Sequence, residues 1–194
     1  MKHRFLALSL ACAAWLACAS APAAVLEGVQ FDDAVKLGDS ELRLNGLGLR
    51  AVFVIKGYAA GLYLTERAPT AAAVLQAKGP KRLQIRMLRE ARPADFNKAL
   101  VSGMRKNATE AELRTLSDRI DQLERIIESI GGTKKGDTIN LDFIPERGTT
   151  LSMNGAVKGD AIGGIDFYNA LLEIFVGDHP VDAKLKKGLL GLYQ

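Results

Sequence analysis

The spacing of apolar residues changes period along the chain, and each change marks a different kind of secondary structure. Four strands are predicted in the first half, at residues 25–31, 41–45, 50–65 and 82–88. Alternation of apolar and polar residues predicts three of them, and a mostly apolar run predicts the strand at 50–65. A short Ala-rich helix is predicted between the last two, at residues 70–77. Apolar residues three or four positions apart then predict two helices, one from Pro93 to about Lys106 and one from Thr109 to the glycines at 131–132.

The last third of the chain returns to strands and then to helices. The patterns predict strands at residues 138–144, 149–153 and 156–158 and helices at residues 165–176 and 181–190. Asn154-Gly155 is a strong signal for a two-residue hairpin turn between two of these strands. Gly159–Gly164 is predicted to be a loop that leads into the first of the two helices.

One guanidinium, that of Arg50, stands at the start of a long apolar ribbon within the predicted strand 50–65. The next seven residues carry a single further charge, on Lys56. Because both faces of the ribbon are mostly apolar, we predict a strand that is buried between layers and bent or interrupted near Gly57–Gly61, where Gly permits a bulge. On this interpretation Arg50 opens onto an interior or a cleft. The alternative is that Arg50 caps the end of the strand and points to water.

The composition is that of one ordinary globular domain. The 194 residues are 48% hydrophobic and 25% charged. The formal net charge is +4, and loss of Lys2 and Arg4 with a signal would leave 24 basic and 22 acidic residues, a net charge of +2. This small excess gives no electrostatic reason to expect nucleic acid as a partner.

The first 23 residues have the pattern of a secretory signal. A basic start is followed by the apolar run Phe5–Leu16 and by the small residues of Ala21-Pro22-Ala23, which fit a cleavage site. We therefore expect a single mature domain, residues 24–194, that is periplasmic or secreted. An alternative is a lipoprotein anchored at Cys18. No later stretch is long enough to predict a membrane helix.

Thiols are missing from the predicted mature chain, because Cys12 and Cys18 both lie in the signal. This excludes a disulfide, a thiolate nucleophile and a Cys-ligated zinc site there. The one histidine that remains, His179, lies between Asp and Pro in a predicted turn. A Ser-His-Asp hydrolase would have to depend on it, and we interpret it as a surface residue.

Two Gly-rich segments and two acidic groups resemble ligand sites but lack the required spacing. Residues 131–136 contain the residue types of a phosphate loop, yet they follow a helix and lack the Gly-Lys-Ser/Thr order. Residues 159–164 lack the dinucleotide fingerprint. The carboxylates at residues 32–33 and 118–124 are interpreted as solvated charges rather than metal ligands. We therefore expect neither a cofactor nor a metal.

Several short motifs, taken in order, resemble those of one family. They are Leu-Asn-Gly-x-Gly-x-Arg at 44–50, Tyr-Ala-Ala-Gly-Leu-Tyr-Leu at 58–64, Phe-Tyr-Asn-Ala-Leu-Leu at 167–172, Gly-Asp-x-Pro-Val-Asp at 177–182 and Leu-Lys-Lys-Gly-Leu-Leu at 185–190. The chain resembles the bacterial exported branch of the chalcone isomerase-like proteins, from about Val25 onward. The resemblance implies an α+β fold, an open-faced β-sandwich in which a helical layer covers one face of a large antiparallel sheet. A ligand cleft would lie between sheet and helices.

The resemblance also implies a set of site residues. Arg50 matches the catalytic arginine of the enzymes, whose permanent charge suits an oxyanion or a carboxylate. The other positions depart from the enzyme pattern: Tyr58 replaces a threonine, Phe96 a tyrosine, Gly103 an asparagine and Tyr168 a small hydroxyl residue, with Asn107 as a partial substitute for the amide. These departures would remove most of the ordered-water network that flavanone closure needs.

The function that the resemblance implies is therefore binding rather than turnover. We expect an exported protein whose Arg50 anchors a small amphipathic acid, such as a fatty acid, with the other named residues around it. One alternative is an intramolecular lyase that uses Arg50 and Tyr58 on an enone. Another is a protein-interaction domain whose cleft is closed by Phe96 and Tyr168, with Arg50 in a structural salt bridge. The oligomeric state stays open.

Overall fold

The computed structural model describes residues 23–192, which form nine strands and five helices. The strands are β1 (Ala23–Leu26), β2 (Val29–Asp32), β3 (Ala34–Leu37), β4 (Ser40–Val52), β5 (Ile55–Leu64), β6 (Lys81–Met87), β7 (Thr138–Ile144), β8 (Gly148–Met153) and β9 (Ala156–Ile162). The helices are α1 (Ala71–Gln76), α2 (Pro93–Asn107), α3 (Glu110–Ile130), α4 (Ile165–Val176) and α5 (Ala183–Leu189).

Seven of the strands form one antiparallel sheet in chain order, β3 to β9, and β1 pairs with β2 in a separate ribbon. Helices α2, α3 and α4 pack on one another and on one face of the sheet. The ribbon lies on the other face, where Phe31 is buried above Gly61. This arrangement confirms the α+β fold predicted from the resemblance, with a large antiparallel sheet covered on one face by helices.

Strand β6 shows how the sequence separates the two faces. Leu83, Ile85 and Met87 are buried against the helical layer. The alternate residues point away from the helices and pair with polar residues of β7. Arg82 donates from Nε and Nη2 to the two carboxylate oxygens of Asp142, both at 2.6 Å. A period of two therefore places apolar residues in the core and a polar ladder on the opposite face.

The helices begin where the sequence signals them. Pro93 is the first residue of α2, where its missing N–H costs no hydrogen bond. Thr109 and Glu112 form a reciprocal capping box at α3, which ends at Gly131 in the left-handed conformation. The last helix is shorter than predicted, because Asp182 caps it and the helical residues start at Ala183.

The prediction of one strand at residues 25–31 was wrong, since the chain turns back at Glu27-Gly28 and forms β1 and β2. Both turn residues have positive φ, at 54° and 75°. Gly28 adopts this conformation without steric cost, which is the physical reason for the turn. The strand predicted at residues 156–158 is longer than expected and continues to Ile162. Of the Gly-rich loop predicted at 159–164, only residues 163–164 therefore lie outside a strand.

The predicted long strand 50–65 is also two strands. The chain turns at Phe53-Val54, where Phe53 has a φ of 54°. The irregularity predicted near Gly57–Gly61 is also present, because Arg50 pairs with Tyr58 and Ala51 with Lys56, which leaves Gly57 as an extra residue in β5. Residues 52–55 are exposed, so the expected burial of this ribbon between layers was wrong. Apolar character alone does not distinguish a buried strand from an exposed hairpin.

The predicted signal, with Cys12 and Cys18, lies outside the described residues, apart from Ala23, which begins β1. Among residues 23–192, none of the helices has the length and apolar composition to cross a membrane.

Candidate functional site

Helix α5 lies directly on β4, because glycines at the contact carry no side chains. A Cβ on Gly48 would lie 2.5 Å from the carbonyl oxygen of Leu185, and one on Gly188 would lie 2.1 Å from that of Leu47. Asn45, which is buried, ties the same region together by donating to the carbonyl oxygens of Ala68 and Leu189 at 3.1 and 2.8 Å. The Leu-Asn-Gly-x-Gly-x-Arg motif thus fixes α5 beside Arg50.

Arg50 and Tyr58 are direct cross-strand partners in the antiparallel pair of β4 and β5. Residues opposite each other in such a pair place their side chains on the same face. Here that face is the one covered by helices, since both residues line the same cavity beneath them. The register shifts immediately after this pair, because Ala51 is opposite Lys56 and Gly57 of β5 is the extra residue.

The position of α5 gives Arg50 an acidic neighbour. Its Nη1 lies 3.4 Å from Oδ2 of Asp182 and also donates to the carbonyl oxygen of Ala51 at 2.8 Å. Both contacts use Nη1, and among residues 23–192 neither Nε nor Nη2 meets an acceptor. The Arg50 side chain is 25% exposed and that of Asp182 is 14% exposed. The guanidinium is therefore held by the protein and keeps donors for another anion.

Tyr58 supplies a neutral donor at the same place. Burial raises the pKa of its phenol well above the ordinary value, the charge of Arg50 offsets part of that rise, and Asp182 adds to it. The phenol consequently stays protonated at neutral pH and is available as a hydrogen-bond donor rather than as a base.

A cavity of about 490 Å³ extends from these two residues between the sheet and the helices. Its walls are apolar and come from both layers: Ile85, Met87 and Leu141 from the sheet, and Phe96, Ile127 and Phe175 from the helices. Arg89, Glu90, Asp95 and Thr133 join Arg50 and Tyr58 as polar lining. The volume lies in the range of roughly 300–1,000 Å³ that small-molecule sites occupy, and one polar end with an apolar body suits an amphipathic ligand.

A family profile described as chalcone isomerase-like matches residues 23–191. The chain belongs to the chalcone isomerase-like family. The family resemblance drawn from its motifs is thereby confirmed.

One solved relative of this chalcone isomerase-like chain is a fatty-acid binding protein of Arabidopsis thaliana. The two structures share a TM-score of 0.66 at 16% sequence identity, over 87% of this chain and 96% of that chain. At this identity the likeness shows a common fold. Among curated proteins, none matches this sequence.

The structure brings three of the six predicted site residues of this chalcone isomerase-like chain to the cavity, namely Arg50, Tyr58 and Phe96. The other three lie elsewhere. Gly103 faces α4, where a Cβ would lie 2.7 Å from Cγ2 of Ile174, so its role is to let two helices approach. Asn107 is occupied by the backbone of His179, whose N–H and carbonyl it binds at 2.9 and 3.0 Å.

Tyr168 does not line the cavity either. It is fully buried against Phe143, and its hydroxyl donates to the carbonyl oxygen of Leu141 at 3.0 Å. Burial raises the pKa of its phenol, as expected for a core residue. An error of one or two residues in aligning a helix is enough to move a side chain from one face to another.

Asp182 is the functional neighbour that sequence reasoning missed. Its sequence signal was an Asp directly before a helix, which is a capping pattern, and both N–H groups of Lys184 and Leu185 do donate to its Oδ1, at 2.8 and 3.0 Å. Nothing in that pattern points to Arg50, 132 positions earlier in the chain. Residues 23–192 contain no group of three His, Cys, Asp or Glu side chains arranged to hold a metal ion.

Proposed function

We propose that the protein binds a small amphipathic acid, such as a fatty acid, with its carboxylate at Arg50 and its apolar part in the cavity. The observation that carries this proposal is the position of Arg50 and Tyr58 together at one end of an apolar cavity of about 490 Å³. The Arabidopsis protein of the same fold is a fatty-acid binding protein by name, which supports this class of ligand.

The donors at Arg50 fit a carboxylate better than a neutral group. A guanidinium forms two parallel, charge-assisted bonds with a carboxylate at about 2.7–2.9 Å. The contact of Arg50 with Asp182 is longer, at 3.4 Å, and engages one nitrogen only. An incoming carboxylate at Nε and Nη2 would add bonds without breaking that contact, and Tyr58 would donate a further one.

Two alternatives from the sequence have less support. An isomerase would need groups that order water or move a proton beside the anion, and Gly103, Asn107 and Tyr168 do not line the cavity. An interaction domain would have a cleft closed by Phe96 and Tyr168. The salt bridge that this alternative expects at Arg50 is present, with Asp182 at 3.4 Å. Phe96, however, forms part of the wall of an existing cavity, which favours a ligand inside it.

The test compares an acid with the alcohol of the same chain length, both by displacement of a fluorescent lipid probe. Arg50→Gln should lower affinity for the acid by ten- to a hundredfold, since a hydrogen bond to a charged group contributes about 1.5–3 kcal/mol. Affinity for the alcohol should change little. Arg147→Gln, at an exposed arginine of the β7–β8 turn, is the matched control.

Equal affinity of the wild-type protein for acid and alcohol would overturn the proposal, as would an Arg50→Gln variant with unchanged preference. Native mass spectrometry of freshly purified protein should also show a bound acid in the wild type. The predicted export belongs to this proposal as well. Intact mass of the protein from a periplasmic fraction should show loss of residues 1–23 if the signal is cleaved as expected.

A further inference from the structure

The β4–β5 hairpin ends in four consecutive apolar residues that face solvent. We call Val52, Phe53, Val54 and Ile55 the hairpin tip; their exposed fractions are 49%, 97%, 91% and 51%. Pairing of β5 with β6 ends at Tyr58, so the hairpin continues beyond its neighbour. From Gly57 to Val54 it projects about 10 Å, at roughly 3.3 Å per residue.

The stability of the fold does not account for this tip. Phe53 has a φ of 54°, a conformation that bulky side chains rarely adopt and that hairpin turns usually assign to Gly or Asn. Its ring is almost fully in water, where it contributes no burial. A strained and exposed aromatic residue within an apolar patch indicates a surface that is covered in the working state of the protein.

The hairpin tip is continuous with the cavity. Val52 and Ile55 belong to the tip, are about half exposed and also line the cavity, next to Arg50 and Tyr58. The cavity therefore reaches the surface at the base of the tip, and we call this opening the cavity mouth. A ligand that enters past the tip would therefore stay in contact with apolar surface from the outside to the cavity.

The shape and charges of this region fit a lipid bilayer. A narrow projection of about 10 Å matches the roughly 5–10 Å by which interfacial apolar groups enter the headgroup and acyl boundary. At the base of the tip, Lys56 is bound to Glu27 at 2.5 Å, and the exposed Arg89 is followed by Glu90 at the cavity mouth. Neighbouring charges of both signs complement zwitterionic headgroups, which carry a phosphate and an ammonium.

We propose that the hairpin tip inserts into the surface of a phospholipid bilayer and places the cavity mouth against it, so that an amphipathic acid passes between bilayer and cavity without crossing water. The direction of transfer rests on the proposed function, whereas the docking itself does not. Because the local charges are balanced, apolar insertion drives the docking, and binding should persist in high salt.

The experiment is sedimentation of phosphatidylcholine vesicles with the protein, without added ligand, in 0.1 and 0.5 M salt. Phe53→Asn combined with Val54→Ser removes the apolar groups and gives residue 53 a side chain that tolerates its φ. We expect this variant to partition at least tenfold more weakly and to melt at the same temperature as the wild type or higher. All variants have the same N-terminus, so any contribution of the N-terminus to vesicle binding is the same in each of them.

The matched control is Ile165→Ser, an exposed apolar residue (43%) that follows β9 at the other end of the sheet. It should partition within twofold of the wild type. Equal partition of the tip variant and the wild type would overturn the docking proposal, and so would a wild type that ignores vesicles but self-associates or captures a protein through the tip. Because no acid is present, these outcomes are separate from the acid and alcohol comparison that tests the proposed function.

Discussion

Asp182 divides its carboxylate between the start of α5 and the guanidinium of Arg50. Oδ1 accepts the N–H groups of Lys184 and Leu185, while Oδ2 lies 3.4 Å from Nη1 of Arg50. One residue therefore caps a helix and sets the charge around the proposed anion anchor. A substitution of Asp182 can therefore remove the negative charge and still keep a side chain that caps α5.

Asp182→Asn should strengthen binding of an amphipathic acid, by roughly three- to tenfold, because the site loses a negative charge beside the incoming carboxylate. Asn is as good an N-cap as Asp, so thermal stability should fall only slightly. Displacement of the fluorescent lipid probe by the acid, measured on both proteins, gives the change in affinity. Asp118→Asn, on the exposed surface of α3, controls for net charge; a gain of the same size there would contradict the assignment.

The two tyrosines named from the sequence should separate binding from stability. Tyr58→Phe removes a donor at the cavity and should weaken acid binding severalfold, with a small effect on unfolding. Tyr168→Phe removes the hydrogen bond to Leu141 in the core and should lower the free energy of unfolding by about 1 kcal/mol while ligand affinity stays the same. Denaturant melts and ligand titrations on both variants decide this, and a reversed pattern would place the site elsewhere.

Gly48→Ala should weaken the fold and the site together. The added Cβ would lie 2.5 Å from the carbonyl oxygen of Leu185, so α5 must move away from β4. We expect a loss of about 1–3 kcal/mol in the free energy of unfolding, typical of overpacking, together with weaker acid binding. Gly163→Ala is the control, since a Cβ there meets nothing within 4 Å. Similar losses in both variants would indicate a general effect of replacing glycine.

Lys81 should make stability depend on pH in the alkaline range. It is fully buried, and burial lowers its pKa from 10.5 to about 8, although its ammonium donates to the carbonyl oxygens of Val74 and Leu75 at 3.0 and 3.1 Å. Between these two pH values the unfolded chain binds more protons than the folded one. The free energy of unfolding should therefore rise as pH increases from 8 toward 9.5, where most tyrosines of the unfolded chain, with an ordinary pKa of about 10, are still protonated.

Lys81→Met provides the comparison for this measurement. It keeps an unbranched chain in the same space and has no proton to lose, so the rise in stability above pH 8 should disappear. Urea melts at pH 7, 8, 9 and 9.5 on both proteins measure the slope. An identical slope in the variant would assign the effect to another group.

Elements with local signals were predictable from the sequence, and those without them were not. Pro93 and the Thr109–Glu112 capping box mark helix starts through short-range hydrogen bonding, which a sequence displays directly. The turn at Phe53-Val54 has neither Gly nor Asn, so an apolar run that crosses it resembles one strand. The exposure of this turn was not predictable either. Periodicity shows which residues share a face, but it does not show whether that face is covered by another layer.

The site was most predictable in its strands, and Phe96 of α2 is the one predicted helical residue that lines the cavity. Arg50 and Tyr58 lie in β4 and β5, whose motifs fix the alignment with the family, and both line the cavity. Gly103 and Tyr168 lie in helices, where a shift of one residue turns a side chain by about 100°. The contact of Arg50 with Asp182 depends on how α5 packs, which involves residues far apart in the chain.

The glycines at the contact between α5 and β4 also affect how proteins with a similar site should be searched for. Arg50 owes its surroundings to three positions, Gly46, Gly48 and Gly188, at which the absence of a Cβ brings backbone against backbone. In a homologue that keeps the arginine but carries a larger residue at one of these positions, the helix equivalent to α5 would lie farther from the strand. The acidic residue equivalent to Asp182 would then lie at a different distance from the arginine. Sequence comparisons that score only polar residues would group such proteins together although their anion chemistry differs.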